Sequence, residues 1–301
     1  MFGSSANPLQ GGLIRKEEPR RLPGIRRVLA VASGKGGVGK STVAVNLSLA
    51  LAHLGYRVGL LDADVHGPNV PLMLGVRRKA EARGWEAILP LASRDVSNAP
   101  SERIPALDRY GIKVMSVGLL VGDEQAAMVD NAAFVGRLVC NLMQMVEWGD
   151  LDVLLVDLPP GTGEPQASLI STVVIDGAAI VVTPQDLSLL DSTRAFRAFQ
   201  AGKVPVLGVI ENMSYLLCPS CGERIQIFHR SQTPRALTSG EVPLLAEIPI
   251  EPSISEAADT GRPLLVTDPD GAQSRIFLDL AATIEERLGM DGDETDGAVR
   301  N

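Results

Sequence analysis

The chain has 301 residues, 45% hydrophobic and 21% charged, which is enough apolar material to bury the core of one sizeable α/β domain and excludes a chain disordered throughout. A formal net charge of −8, with no basic stripe carrying interleaved aromatics, argues against broad nucleic-acid binding. No apolar run approaches the ~18 residues of a membrane span, and residues 1–27 lack the apolar centre of a secretory signal. Three cysteines, two of them in a Cys-x-x-Cys, make no disulfide framework. Composition therefore indicates a cytoplasmic protein without membrane or nucleic-acid partners.

Residues 1–27 are rich in Gly, Pro, Ser and Arg, with cations at Arg15, Lys16, Arg20, Arg21, Arg26 and Arg27, and read as a flexible basic arm. Apolar runs then alternate with helical patterns. Strand candidates are Val28 to Ala32, Val58 to Leu61, Ile112 to Val117, Val153 to Val156, Ala178 to Val182, Val204 to Ile210 and, more weakly, Leu244 to Ile248. Helix candidates are Lys40 to Leu54, Ala126 to Trp148, Leu187 to Ala201 and Ala272 to Leu288. Continuous apolar strands separated by helices imply a doubly wound, mostly parallel sheet with helices on both faces. Segment 76–111 breaks the rhythm and reads as an irregular excursion or small hairpin. The domain is expected to occupy 28–288, followed by a disordered acidic tail over 289–301.

Between the first strand and the first helix lies Gly34-Lys35-Gly36-Gly37-Val38-Gly39-Lys40-Ser41-Thr42. The layout is a phosphate-binding loop: glycines let backbone N–H groups approach a polyphosphate, and the helix N-terminus adds partial positive charge. Lys40 would reach the β- and γ-phosphates and the Ser41 hydroxyl would ligate magnesium. Acids at two strand ends complete the pattern. Asp62 and Asp64 close the second strand, where aspartates also serve simply as turn caps. Val153-Leu-Leu-Val-Asp157 is the apolar strand ending in a magnesium-holding carboxylate. Leu158-Pro-Pro-Gly161-Thr-Gly163 follows as a switch loop in which the Gly161 N–H faces the γ-phosphate.

Cys218-Pro-Ser-Cys221-Gly222 is a second chemical centre. Two thiolates are half of what a structural zinc or a cubane iron-sulfur cluster takes, so either the site is incomplete or two chains share it. A redox dithiol is a further option, although that motif normally opens a helix. His229 is near enough in sequence to be a third ligand, and Cys140, among Leu138, Val139 and Leu142, reads as a buried inert thiol.

The stretch Lys35 to Thr42 resembles the deviant Walker A of the MinD/ParA class, which implies that Lys35 reaches across a homodimer interface to the partner's nucleotide, that Asp64 orients the attacking water and that Asp62 supports the metal. Adding Asp62-Ala-Asp-Val-His-Gly-Pro-Asn69, Trp148 to Asp157, Leu158 to Gly163, Glu211-Asn-Met-Ser214 and Cys218 to Gly222, the chain from about 27 to about 288 is similar to the Mrp/ApbC family of iron-sulfur cluster carriers. The resemblance implies ATP and Mg2+ as cofactors and a 4Fe-4S cluster bridged by Cys218 and Cys221 of two subunits. It further implies a cluster-assembly scaffold and apo iron-sulfur proteins as partners, slow switch-type hydrolysis, and adenine reading by Asn212. The family pattern is departed from at Val129-Asp130-Asn131-Ala132 and at His229-Arg-Ser-Gln-Thr-Pro234. The alternatives are a MinD/ParA-type positioning ATPase, which has no use for the two cysteines, and a zinc-stabilised nucleotide-dependent interaction protein.

Overall fold

The computed structural model describes residues 18–65, 67–76, 103–120, 132–161, 163–185, 191–228 and 242–290. Its core is an eight-stranded sheet in the order β12-β9-β8-β1-β7-β2-β5-β4. The strands are β1 Ile25–Ser33, β2 Val58–Asp62, β4 Leu107–Arg109, β5 Ile112–Ser116, β7 Leu151–Asp157, β8 Gly177–Val182, β9 Val206–Glu211 and β12 Leu244–Glu247. Every pairing is parallel except β4 with β5. β2 and β8 are buried at every residue, and since successive side chains point to opposite faces, both faces of the sheet are covered. The doubly wound P-loop architecture expected from the sequence is the one present.

The helices are α1 Lys40–His53, α2 Val70–Met73, α3 Val117–Leu120, α4 Ala132–Met145, α5 Glu164–Thr172, α6 Asp191–Ala201, α7 Pro252–Thr260, α8 Leu264–Thr267 and α9 Ala272–Leu288. α1 packs on α9, and α4 on α5. α1 is buried from Val43 through Leu51 because it lies between the sheet and α9. α9 matches the sequence reading and α1 stops one residue short, with Leu54 as its C-cap.

Several boundaries are corrected. The helix expected to run to Trp148 ends at Met145; Val146–Glu147 forms β6, paired in parallel with β3, Ile104–Pro105. Trp148 instead tucks in, its indole N–H donating to the Met143 carbonyl at 3.2 Å. Residues 126–131 and 187–190, expected to be helical, lie outside the described residues, as do positions 129–131 and 229–234, where the sequence departs from the family pattern. The excursion is partly a hairpin: β4 and β5 are joined by Tyr110 and Gly111, both at positive φ, the mirror-image turn that suits the twist of antiparallel strands. Residues 77–102 lie outside the described set.

The domain also begins before residue 28 and continues beyond 288. The Arg20 N–H donates to the Thr172 carbonyl at 2.9 Å, Leu22 is buried, and β1 starts at Ile25, while Met290 is buried at the other end. Residues 20–27 are therefore part of the fold and not of a basic arm; 1–17 and 291–301 lie outside the described residues. Among the described residues no helix is long and apolar enough to cross a membrane.

A phosphate-binding loop beside a cysteine hairpin

Strand register assembles the first site. β7 lies between β1 and β2, with Asp157 level with Asp62 on one side and with Val31 on the other, and β5 brings Ser116 level with Asp62. Residues far apart in the chain thus end at one height on the carboxyl edge of the sheet, the edge where open α/β sheets bind ligands. β1 continues to Ser33 and delivers the phosphate loop over them.

Gly39 precedes α1 in the left-handed region, at φ 80°, and a Cβ there would overlap the side-chain nitrogen of Asn212. Val38 is buried, Ser41 and Thr42 are half-buried, Gly34 and Gly39 are partly open, and Lys35, Gly36 and Gly37 are exposed. The loop carries its own brace, with the Ser33 hydroxyl donating to the Lys35 carbonyl at 2.9 Å.

Lys40 is 5% exposed, and its ammonium lies 2.6 Å from Asp157 Oδ1 and 3.4 Å from Asp64 Oδ2. Burial alone would lower its pKa, but Asp157, Asp64 and Asp62 together raise it, so it stays cationic. Asp62 is fully buried; burial first, then the charge of Asp157, pushes its pKa up to about 8 against the Ser116 hydroxyl, Lys40 and the Asp64 N–H. The Ser116 hydroxyl donates to Asp62 Oδ2 at 2.8 Å, and the Asp64 N–H donates to Oδ1 at 3.1 Å. Burial likewise raises Asp157, against the pull of Lys40 and of the nearby Ser41 hydroxyl.

Asp64 Oδ1 and Asp157 Oδ2 are buried oxygens with no hydrogen-bond partner. Three carboxylates facing one ammonium, with two of their oxygens unsatisfied beside a serine hydroxyl, fit a hard divalent cation that takes oxygen ligands and keeps several waters. Among the described residues no group of three or more His, Cys, Asp or Glu is arranged to hold a metal alone. Magnesium held through one carboxylate, a hydroxyl and nucleotide phosphate needs no such group.

The Gly161 N–H donates to the Ser33 carbonyl at 3.0 Å, so a γ-phosphate would have to displace that bond. Pro160 lies over Gly36, which places the switch loop against the phosphate loop. Asn212, buried at the end of β9, donates from Nδ2 to the Val38 carbonyl at 2.8 Å. Its amide therefore holds the phosphate loop, a contact that a motif read for adenine recognition does not reveal.

The second site follows directly. Beyond Asn212 the chain forms the hairpin β10 Leu216–Leu217 and β11 Arg224–Ile225, with the two cysteines in its turn. The Cys218 N–H donates to the Glu223 carbonyl and the Gly222 N–H to the Cys218 carbonyl, both at 2.8 Å, with Gly222 at φ 74°. Backbone N–H groups of Ser220 and Cys221, together with the Cys221 thiol, lower the Cys218 pKa. Donors aimed at one sulfur favour thiolate and hence metal ligation. Cys218 is half-exposed and Cys221 exposed, whereas Cys140 is buried and burial pushes its thiol up, as an inert cysteine requires. His229, the candidate third ligand, lies outside the described residues.

The sequence reading missed Ser116, Ser33 and Arg224. Ser116 ends an apolar strand, a signal of the same kind as that of Asp157 but weaker because serine is common in turns.

A glycine loop entering α1, a lysine held by two strand-end carboxylates and an adjacent switch loop define a P-loop nucleoside triphosphatase. The model of the ParA family described as NUBPL iron-transfer P-loop NTPase matches residues 24–285, and the chain belongs to that family. An Aquifex aeolicus protein named iron-sulfur cluster carrier protein is 38% identical over 267 residues, which are 89% of this chain and 69% of that one. An Arabidopsis thaliana protein named as an iron-sulfur protein required for NADH dehydrogenase, mitochondrial, is 42% identical over 269 residues, 89% of this chain and 80% of its own. Among solved structures, a nucleotide-binding protein from Archaeoglobus fulgidus in complex with ADP superposes with a TM-score of 0.64 at 35% identity, over 85% of this chain and 94% of that one.

Proposed function

We propose that the chain is an ATP-hydrolysing iron-sulfur cluster carrier that works as a homodimer in the cytoplasm, takes a 4Fe-4S cluster from an assembly scaffold and passes it to apoproteins. The observation that carries this reading is the exposed Cys218–Cys221 turn, with a thiolate favoured at Cys218, joined by a short segment to the residue that holds the phosphate loop. A positioning ATPase has no need of that turn. Each chain offers two thiolates, so a four-thiolate cargo site requires two chains.

Lys40 and Ser41 would bind the phosphates and Mg2+ of ATP, with Asp157 and Asp62 supporting the metal, which would supply neutralisation of the phosphate charge. Phosphate oxygens compete with Asp157 for the Lys40 ammonium, freeing the Asp157 carboxylate. Asp64 orients the attacking water through its unsatisfied oxygen. Lys35, exposed at the loop tip, reaches the partner's nucleotide, and Gly161 exchanges Ser33 for the γ-phosphate when the switch loop closes. Asn212 reads the adenine with the part of its amide not donated to Val38.

Anaerobic reconstitution with iron and sulfide tests the cargo. About four irons per dimer and a visible chromophore are expected, both abolished by Cys218→Ala or Cys221→Ala. Stoichiometric zinc without a chromophore would replace the carrier by a zinc-stabilised switch protein.

A further inference from the structure

Among the described residues the cysteine hairpin is tied to the domain by the backbone of Tyr215 and Leu216 against Ile250 and by the side chain of Arg224. Arg224 on β11 lies 2.7 Å from Glu247 on β12, and its guanidinium stacks 3.7 Å above the Tyr215 ring. Glu247 also accepts from the Ser214 hydroxyl at 3.3 Å, and the same hydroxyl contacts Glu211, the last residue of β9. Asn212 follows Glu211 and grips the Val38 carbonyl of the phosphate loop.

The backbone along this route is strapped at each step. The Asn212 N–H donates to Val182, Ser214 to Ile248 and Ile250 to Tyr215, while Met213 sits at φ 55° between them. A side chain held in the left-handed region persists only where surrounding contacts fix it. The route is continuous: Val38, Asn212, Glu211, Ser214, Glu247, Arg224 and then the cysteine turn.

We propose that the Arg224–Glu247 pair, stacked on Tyr215, is the clamp through which nucleotide at the phosphate loop sets the position of Cys218 and Cys221. This rests on the proposed ATP-dependent carrier reading. Binding that shifts the Val38 carbonyl pulls Asn212, which follows β9 and is bonded to Val182 at the end of β8; its neighbours Glu211 and Ser214 carry that displacement to Glu247, and the clamp delivers it to the hairpin. Arg224 is a positioning residue. It is 42% exposed, lies outside the phosphate loop and the cysteine pair, and is the hairpin's charged link to Glu247. Methionine in its place keeps a flexible body against Tyr215 and removes the ion pair.

The test is the alkylation rate of Cys218 and Cys221 in the full-length chain without cluster, resolved by peptide mass spectrometry, with and without Mg2+ and a non-hydrolysable ATP analogue. Buried Cys140 serves as the internal reference. The wild-type rates are expected to change about threefold or more on nucleotide binding, since thiolate reactivity follows local exposure and hydrogen bonding. Arg224→Met and Glu247→Gln bring that ratio to about one while leaving analogue affinity unchanged, and Arg224→Lys, which keeps a cation for Glu247, restores most of it. A wild-type ratio of one, or an undiminished ratio in Arg224→Met, overturns the clamp. Neither result depends on cluster loading, so the iron content of the reconstituted wild type judges the carrier reading separately.

Discussion

The phosphate-loop pocket and the cysteine hairpin follow β1 and β9, two strands separated by β8, and are built by opposite means. In the pocket Lys40, Asp62 and Asp157 are buried, and strand register, helix α1 and a web of hydrogen bonds define every group. In the hairpin two strands of two residues each carry the cysteines into solvent, with Leu217, Ile225 and Ile227 exposed around them. A buried site holds its charges in a fixed geometry and tolerates little change. A short exposed hairpin gives up little stability when altered and can present its thiolates to a second chain or a client. The difference separates a rigid, buried site from an adaptable, exposed one.

Lys40→Ala breaks the pocket hardest. Removing the cation leaves Asp157 buried without its partner, so unfolding free energy is expected to fall by ~3 kcal/mol and ATP hydrolysis by about 10²-fold or more. Cluster loading by the hairpin should survive. Denaturant melts, phosphate release and iron content check the three parts, and loss of loading would show that the sites are not built independently.

Gly39→Ala comes next. Positive φ and overlap with Asn212 are expected to cost ~1–3 kcal/mol and to weaken nucleotide binding. Pairing it with Asn212→Ala removes the overlap but not the backbone strain, so a double-mutant cycle measured by nucleotide titration should be non-additive.

The pH dependence of stability sharpens the contrast further. Asp62 has its pKa raised from 3.8 to about 8 in the folded chain, so the folded state binds its proton more readily than the unfolded state does. The resulting stabilisation is full below pH 3.8 and is lost as pH rises towards about 8. The melting temperature of the chain without Mg2+ or nucleotide should therefore carry a component that falls across that window and that Asp62→Asn removes.

The smallest effect belongs to the hairpin. Cys221→Ala, at an exposed turn position, is expected to change stability by no more than ~0.5 kcal/mol in the absence of iron. A larger loss in thermal melts would mean that the turn packs against the domain and is not free to adapt.

The sequence by itself determined the elements whose physics is local. The glycine pattern of the phosphate loop, the apolar strands ending in Asp62 and Asp157, the doubly wound fold and the two-thiolate turn are all written in short spacings. Helix α9 was legible for the same reason, because its apolar period runs uninterrupted. Where neighbouring chain competes for the backbone, the pattern failed: Val146 and Glu147 extend an apolar helical run, yet pairing with Ile104 and Pro105 draws them into a strand.

Tertiary structure alone decided the rest. Asp62 and Asp157 become mutual neighbours through parallel register, Ser116 reaches Asp62 across 54 positions, and Asn212 grips Val38 across 174. The raised pKa of Asp62 and the clamp at Arg224 follow from those placements. The physical reason is that burial, charge neighbourhood and side-chain reach depend on which distant segments the sheet sets side by side, and no spacing within one segment encodes that.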